Sequence, residues 1–274
     1  MPLRAITVRD VRFARNQSTA RWWLGGDPFA TAIFNSLSIS FPRGEAYFVE
    51  SVRFFRDGTV EPLTSEIRDF ISQEINHSRE HLAFNRTVAQ SGYDTAVLED
   101  VVKRVLDDAR ARKPIVSLAV TMALEHFTAM FAHQLLADPS ILAGADPELA
   151  ELWRWHAIEE IEHKAVAYDT YLSATRDWPR FRRWKLKALL MLLTTRNFLR
   201  LRYGGAVELL RQDGITGWRA HWGLLRYAFV SPGMVRRIIP AWIAYFLPGF
   251  HPWNHDDRAL IAKALSQKIL AKDS

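Results

Sequence analysis

Two tetrapeptides of one form, Glu74-Ile75-Asn76-His77 and Glu160-Ile161-Glu162-His163, place a carboxylate and an imidazole three residues apart. On a helix such a pair shares one face about one turn apart, so both side chains can reach the same cation. One copy carries little weight, because Glu and His meet at this spacing on solvated faces by chance. Two copies carry more, since each is preceded one helix earlier by a Glu in an apolar setting. Glu125 closes the run Val116-Ser117-Leu118-Ala119-Val120-Thr121-Met122-Ala123-Leu124, where an unpaired buried charge would be very costly. Glu45 holds the corresponding place in Phe41-Pro42-Arg43-Gly44-Glu45-Ala46-Tyr47-Phe48. The chain has no cysteine, so disulfides, thiol nucleophiles and Cys-ligated zinc or iron–sulfur sites are excluded. A metal must sit on His and carboxylates.

In an antiparallel helical hairpin, residues equidistant from the turn lie at one height. The midpoint of Glu45 and Glu74/His77 falls near residue 60, and that of Glu125 and Glu160/His163 near residue 143, both between helices. Glu50 would also pass for the first ligand and is the second choice there. One Glu from each of two helices and Glu-x-x-His from each of two others is the dinuclear carboxylate pattern of ferritin-like bundles. His156 precedes Glu160 by four and His163 by seven, spelling His-x-x-x-Glu-x-x-His. It is either a seventh ligand or a core histidine bonded to a neighbouring acid. His81, one turn beyond His77, could ligate in the same way on the other side, but fits better a place behind the ligands. His126 and His133 read as packed histidines, Glu159 and Glu162 as pointing away from the metals, and Asp69 as solvated.

The elements that must carry these residues are helices, because strand signals are nearly absent and apolar residues recur at helical spacing. The first runs from Asp27-Pro28 to Phe55 with a bend at Phe41-Pro42. The second starts at Thr64-Ser65, whose hydroxyls can cap it, and reaches Ala89. Thr95 to Arg112 is a shorter helix, and Pro114 to Ala137 an apolar one. Asp146-Pro147-Glu148 is a strong start signal for a helix reaching Leu172. The remainder reads as helical pieces punctuated by Gly204-Gly205, Asp213-Gly214, Pro232-Gly233 and Pro248-Gly249. The expected fold is all-α, a ferritin-like four-helix bundle over 27–175, with an N-terminal arm over 1–26 and a C-terminal helical extension over 176–274.

With 274 residues, 49% hydrophobic and 24% charged, the chain has a globular composition and can bury a sizeable core. Its net charge of +6 hides an asymmetry. From Arg176 to Ser274 there are 18 basic and 6 acidic residues, +12, which leaves −6 for the first 175. Six of the ten Trp lie in that basic tail. A basic, Trp-rich helix can rest on anionic lipid headgroups, and it can equally cover an acidic bundle. No nucleic-acid motif is legible. No basic segment followed by an apolar run opens the chain, and apolar runs such as Ala188 to Leu193 are far short of the roughly 20 residues that span a bilayer. The expectation is a cytoplasmic protein, with peripheral contact to the inner membrane face as the second reading of the tail. A homodimer is compatible with it.

Trp22-Trp23-Leu24-Gly25-Gly26-Asp27-Pro28, Phe41-Pro42-Arg43-Gly44-Glu45, Gln73-Glu74-Ile75-Asn76-His77-Ser78-Arg79-Glu80-His81 and Phe250-His251-Pro252-Trp253-Asn254-His255-Asp256-Asp257 resemble a bacterial family known as predicted metal-dependent hydrolases. This resemblance covers almost the whole chain and implies hydrolysis. The stretch His156-x-x-x-Glu160-x-x-His163 is similar, over the site alone, to the extra-histidine motif of arylamine N-oxygenases of the p-aminobenzoate type. Two carboxylate-bridged ions activate dioxygen if they are iron, or polarise substrate and water if they are zinc or manganese. The expected ligands are Glu45, Glu74, His77, Glu125, Glu160 and His163 with His156, holding two ions, iron first and manganese or zinc as alternatives. That donor set favours a non-haem di-iron oxygenase or oxidase acting on a lipophilic or aromatic small molecule, with dioxygen and an electron donor as partners. A dinuclear hydrolase is the alternative and a ferroxidase-like metal-handling protein the third reading. A dry substrate pocket beside the metals separates the enzymes from the storage protein.

Overall fold

A computed structural model describes residues 6–13 and 19–272, with side chains to residue 266. Parts of the expected arm, 1–5 and 14–18, lie outside the described residues. The described chain is helical, and its only β pairing is an isolated bridge between Leu24 and Ala145.

Helix α1 (Pro28–Arg53) starts as expected, the Asp27 carboxylate accepting from the N–H groups of Phe29 and Ala30 with Pro28 in the first turn. It continues through Pro42, whose missing donor frees the carbonyl of Ser38. Asn85 Nδ2 donates to that carbonyl at 3.1 Å. Helix α2 (Leu63–Gln90) begins one residue earlier than Thr64, and no Ser or Thr side chain caps it. Glu61 Oε2 instead accepts from the Ser65 N–H. Helix α3 (Ala96–Arg110) leads to α4 (Pro114–Ala137). By length and composition α4 is the one described helix able to cross a membrane, yet 67% of its apolar window is buried within the protein and it carries Glu125. Strict apolar runs overlooked it because Ser117, Thr121 and Glu125 interrupt the string.

The expected helix to Leu172 is two helices. Asp146 caps α5 (Pro147–His163), which ends immediately after His163, and α6 is Val166–Ala174. No Gly or Pro marks the break. It coincides with Lys164, whose buried ammonium donates to Asp257 Oδ2 at 2.5 Å and to the His255 carbonyl at 2.7 Å. In the tail, α7 (Arg180–Gln212) runs unbroken through Gly204-Gly205, followed by α8 (Gly217–Phe229), α9 (Met234–Ala244) and α10 (Arg258–Lys272). The expected break at Gly204-Gly205 is a close approach instead. A Cβ on Gly205 would overlap the Ser36 hydroxyl and stand 3.1 Å from Leu98 Cδ2, whereas one on Gly204 would meet nothing. Gly204→Ala should therefore raise the melting temperature slightly, by restoring helix propensity of about 1 kcal/mol. Gly205→Ala should lower it, because overpacking costs about 1–3 kcal/mol. Thermal unfolding of the two variants checks the distinction.

Side-chain pairs give the helix directions. Ser78 meets Glu45 and Asn85 meets Ser38, so α1 and α2 are antiparallel. Gln73 meets His163, His77 meets Glu159 and His81 meets His156, so α2 and α5 are antiparallel too. Glu125 lies against His163 while Leu135 and Trp153 line one cavity, so α4 opposes α5. Helices α2 and α4 therefore run the same way, and α3, lying on α1, returns the chain between them. Helix α7 packs across α1 and α4, α8 on α1, and α9 and α10 on α4. Two apolar clusters result, one around Trp23, Phe34, Trp153 and Trp155, the other around Phe70, Phe127, Tyr171 and Tyr245. The tail contributes to both, through Leu209 and Leu210 to the first and Met191 to the second. A polar centre lies between them.

Candidate metal centre

The seven residues singled out by type and spacing are brought together on α1, α2, α4 and α5, and all are buried. His163 Nε2 lies 3.2 Å from Glu74 Oε1, 3.3 Å from Glu125 Oε2 and 3.6 Å from Glu160 Oε2. His77 Nδ1 lies 3.6 Å from Glu160 Oε1. His156 Nε2 lies 2.7 Å from Glu160 Oε1 and 3.8 Å from Glu45 Oε1. Donor atoms fall into overlapping groups, Glu45/His77/His156, Glu74/His77/Glu160 and Glu74/Glu125/His163. Glu160, which belongs to the middle group and touches His156 and His163, stands between the other two.

Eight buried donor atoms of this centre make no hydrogen bond: Glu45 Oε1, both oxygens of Glu74 and of Glu125, Glu160 Oε2, His77 Nδ1 and His163 Nε2. Buried polar atoms are nearly always paired, so a concentration of orphans on six facing side chains fits cations. Burial, then the charge of Glu160, pushes the Glu45 and Glu74 carboxyls well above the usual range. Burial raises Glu125 to about 7. Burial alone would lower His163, but Glu125 and Glu160 outweigh it and hold the ring well above the usual value. Burial and the neighbouring His156 push His77 well down.

The surroundings fix which nitrogen of each ring faces the centre. Gln73 Nε2 donates to Glu162 Oε2 and to the Thr7 carbonyl, both at 3.1 Å, so Gln73 Oε1 is left to accept from His163 Nδ1 at 2.9 Å. When the ring is neutral, the bare His163 nitrogen is then Nε2. His77 Nε2 points to Glu159 Oε2 at 3.1 Å, leaving Nδ1 for the centre. Asn85, oriented by its bond to the Ser38 carbonyl, accepts from Ser38 Oγ at 2.6 Å. That hydroxyl must accept from His81 Nδ1 at 2.8 Å, so His81 Nε2 accepts from His156 Nδ1 at 2.6 Å. With neutral rings, the His156 lone pair is aimed at two carboxylates, an arrangement that a cation between them would stabilise. Such outer hydrogen bonds set tautomer and orientation in metal-ligating histidines.

His81, read as standing behind the ligands, has both nitrogens engaged, by Ser38 and His156. Glu50, the second choice for the first ligand, instead pairs with Arg110 at the surface, at 2.7 Å. Asp69 is half-exposed beside Arg68. His126 packs against Tyr245 and bonds the Ala241 carbonyl, and His133 bonds Asp257. Glu159 and Glu162 do face away from the donor cluster, but they are buried. Arg9 bridges them, 3.3 Å from Glu159 and 2.7 Å from Glu162, and the N–H groups of Thr7 and Arg9 add bonds to the same two carboxylates. Sequence reasoning missed Arg9 and Gln73. Gln73 adjoins the motif and could have been flagged by that position, whereas Arg9 lies in a segment without periodicity. Glu159→Gln should weaken metal binding about 10- to 100-fold, with Asp69→Ala unchanged, as read by chelator competition.

An apolar cavity reaches the centre, with His156 and Glu160 in its wall beside Phe41, Phe131 and Trp153. A second cavity shares Phe34, Leu37, Phe131, Phe198 and Met234 with it and extends to Tyr203, Ala228 and Val235. A family model described as predicted metal-dependent hydrolase matches residues 7–256. No curated protein and no solved structure matches the chain.

Proposed function

The chain belongs to the family of predicted metal-dependent hydrolases, and from that premise we propose that it is a two-metal enzyme hydrolysing a lipophilic small molecule. In this reading Glu45, Glu74, His77, Glu125, Glu160 and His163, with His156, hold two ions on a ferritin-like four-helix bundle. The antiparallel hairpins, each offering one Glu and one Glu-x-x-His, support that arrangement. The observation that carries the function is the apolar cavity ending at His156 and Glu160, which a metal-storage protein has no need of. Two such ions supply Lewis-acid polarisation and a water of lowered pKa. The chain supplies the rest. Phe41 packs edge-on against the rings of His81 and His156, with centroids 4.8 and 4.9 Å away, and restricts the rotation of both. The aromatic wall excludes bulk water and selects an apolar group. His81 keeps the proton of its hydrogen bond with His156 on His156 Nδ1.

The test is hydrolysis of a series of p-nitrophenyl esters of increasing chain length by metal-loaded protein. Longer chains should be preferred, and Ala157→Phe, which fills the cavity wall, should abolish the preference without changing metal content. Equal rates across the series would refute a lipophilic substrate.

A second reading, dioxygen activation by a di-iron centre, is favoured by the third imidazole in His156-x-x-x-Glu160-x-x-His163 and by the apolar lining of the cavity. Reduced, iron-loaded protein should then consume dioxygen in the presence of an electron donor. Ester hydrolysis by the zinc form, without dioxygen consumption by the iron form, decides for the hydrolase.

A further inference from the structure

Among the described residues, 15 of the 22 large hydrophobic side chains left exposed lie between Phe181 and Leu247, about a quarter of the chain. They are not scattered. On α7 the exposed positions include Phe181, Leu189, Leu192, Leu199 and Tyr203; on α8, Trp218, Trp222, Leu225 and Phe229; on α9, Ile239 and Ile243. Steps of three and four residues, and multiples of them, put each set in one stripe along its helix. These stripes are additional to the faces that α7, α8 and α9 already bury through Met191, Leu224 and Ile238. The three helices are joined: Tyr203 stacks on His221, with centroids 5.8 Å apart, and Trp184 Nε1 donates to the Phe246 carbonyl. Contiguous exposed apolar surface of this extent marks an interaction site.

Charge identifies the occupant. Between Phe181 and Leu247 there are 12 basic residues and 2 acidic ones. Both acids are already paired, Glu208 with Arg211 and Asp213 with Arg21. Lys185, Arg196, Arg219, Arg226 and Arg236 are interleaved with the apolar stripes and exposed. A second copy of the chain would bring this positive field against itself, while an anionic bilayer neutralises it and receives the Trp and Leu side chains at headgroup depth.

We propose that the outer faces of α7, α8 and α9 form a docking surface for an anionic lipid bilayer. The outer cavity is lined by Tyr203, Ala228 and Val235, one from each of these helices. It shares its inner wall with the cavity that reaches His156 and Glu160. Docking would therefore set the mouth of the apolar passage on the lipid, so that a hydrophobic substrate enters without crossing water; this consequence rests on the function proposed above, while the docking itself does not.

The experiment is co-sedimentation of the full-length protein with vesicles of phosphatidylglycerol and phosphatidylcholine, and of phosphatidylcholine alone. Binding is expected on the anionic vesicles at low salt, falling steeply as salt rises because exposed charges are screened over about 8–10 Å at physiological ionic strength. Trp218→Ser combined with Trp222→Ser should lower the partition coefficient about tenfold without changing the helical circular dichroism. Glu125→Gln should bind vesicles like the parent, so loss of the metal centre is separable from loss of docking. Absence of binding to anionic vesicles at low salt overturns the proposal. So does a stable dimer in which these tryptophans are shielded and insensitive to vesicles, which would assign the surface to a second copy.

Discussion

Glu125→Gln is expected to reduce bound metal from two ions per chain to one or fewer. Glu125 is 1% exposed, sits in the apolar face of α4, and has both carboxylate oxygens without a hydrogen bond. His163 Nε2, 3.3 Å away, is itself without one. Glutamine keeps the volume and removes the charge, so the fold should survive. Only what the charge holds should be lost. Glu50→Gln, which removes a carboxylate of the same helical hairpin from a surface pair with Arg110, should leave metal content at two. Elemental analysis of the two variants purified side by side gives the answer, and equal metal content would mean that the donor cluster is not the metal centre.

Metal-free protein should lose stability as pH rises from 6.5 to about 7.5, and the metal-loaded protein should not. Burial raises the Glu45 and Glu74 carboxyls well above the usual carboxylate range and Glu125 to about 7. An acid with a raised folded pKa binds its proton more tightly in the folded state. Its stabilisation is complete below the unfolded value and is lost as pH climbs through the folded one. His163, raised by Glu125 and Glu160 against its burial, acts in the same sense above 6.5. His77 and His81 are held well down, first by burial, and penalise folding only below 6.5, where the unfolded rings take up protons. Glu160, held low by His163 and His156 against its burial, contributes fully throughout this window. Each proton retained by the folded state costs about 1.4 kcal/mol per pH unit, which amounts to several degrees of melting temperature. Bound cations replace those protons. Calorimetry of chelator-treated and metal-loaded samples at three pH values across the window measures the slopes, and parallel slopes would show that the carboxylates do not share the cations' site.

The sequence by itself determined the helical class and the starts of α1 and α5, because apolar periodicity, Asp-Pro caps and the helix period are local properties. It also put Glu74 with His77, and His156 with Glu160 and His163, on one stripe each, since spacing of three, four and seven residues means one helical stripe whatever the surroundings, and it set Glu45 and Glu125 at matching heights through the hairpin midpoints. Tertiary structure decided what spacing cannot express. Glu45 faces the centre and Glu50 the solvent because α1 has one rotation against α2 and α3. Gly205 lies where α7 crosses α1, so the residue pair that reads as a break is a crossing point. α5 ends after His163, at the position where Lys164 reaches Asp257, more than ninety residues later in the chain. The nitrogen that each ring presents is set by Gln73, Glu159 and the chain from Asn85 to His81. Arg9 enters through an arm with no periodicity to read. All of these depend on contacts between residues distant in sequence, and a one-dimensional pattern records which residues share a face, not what that face meets.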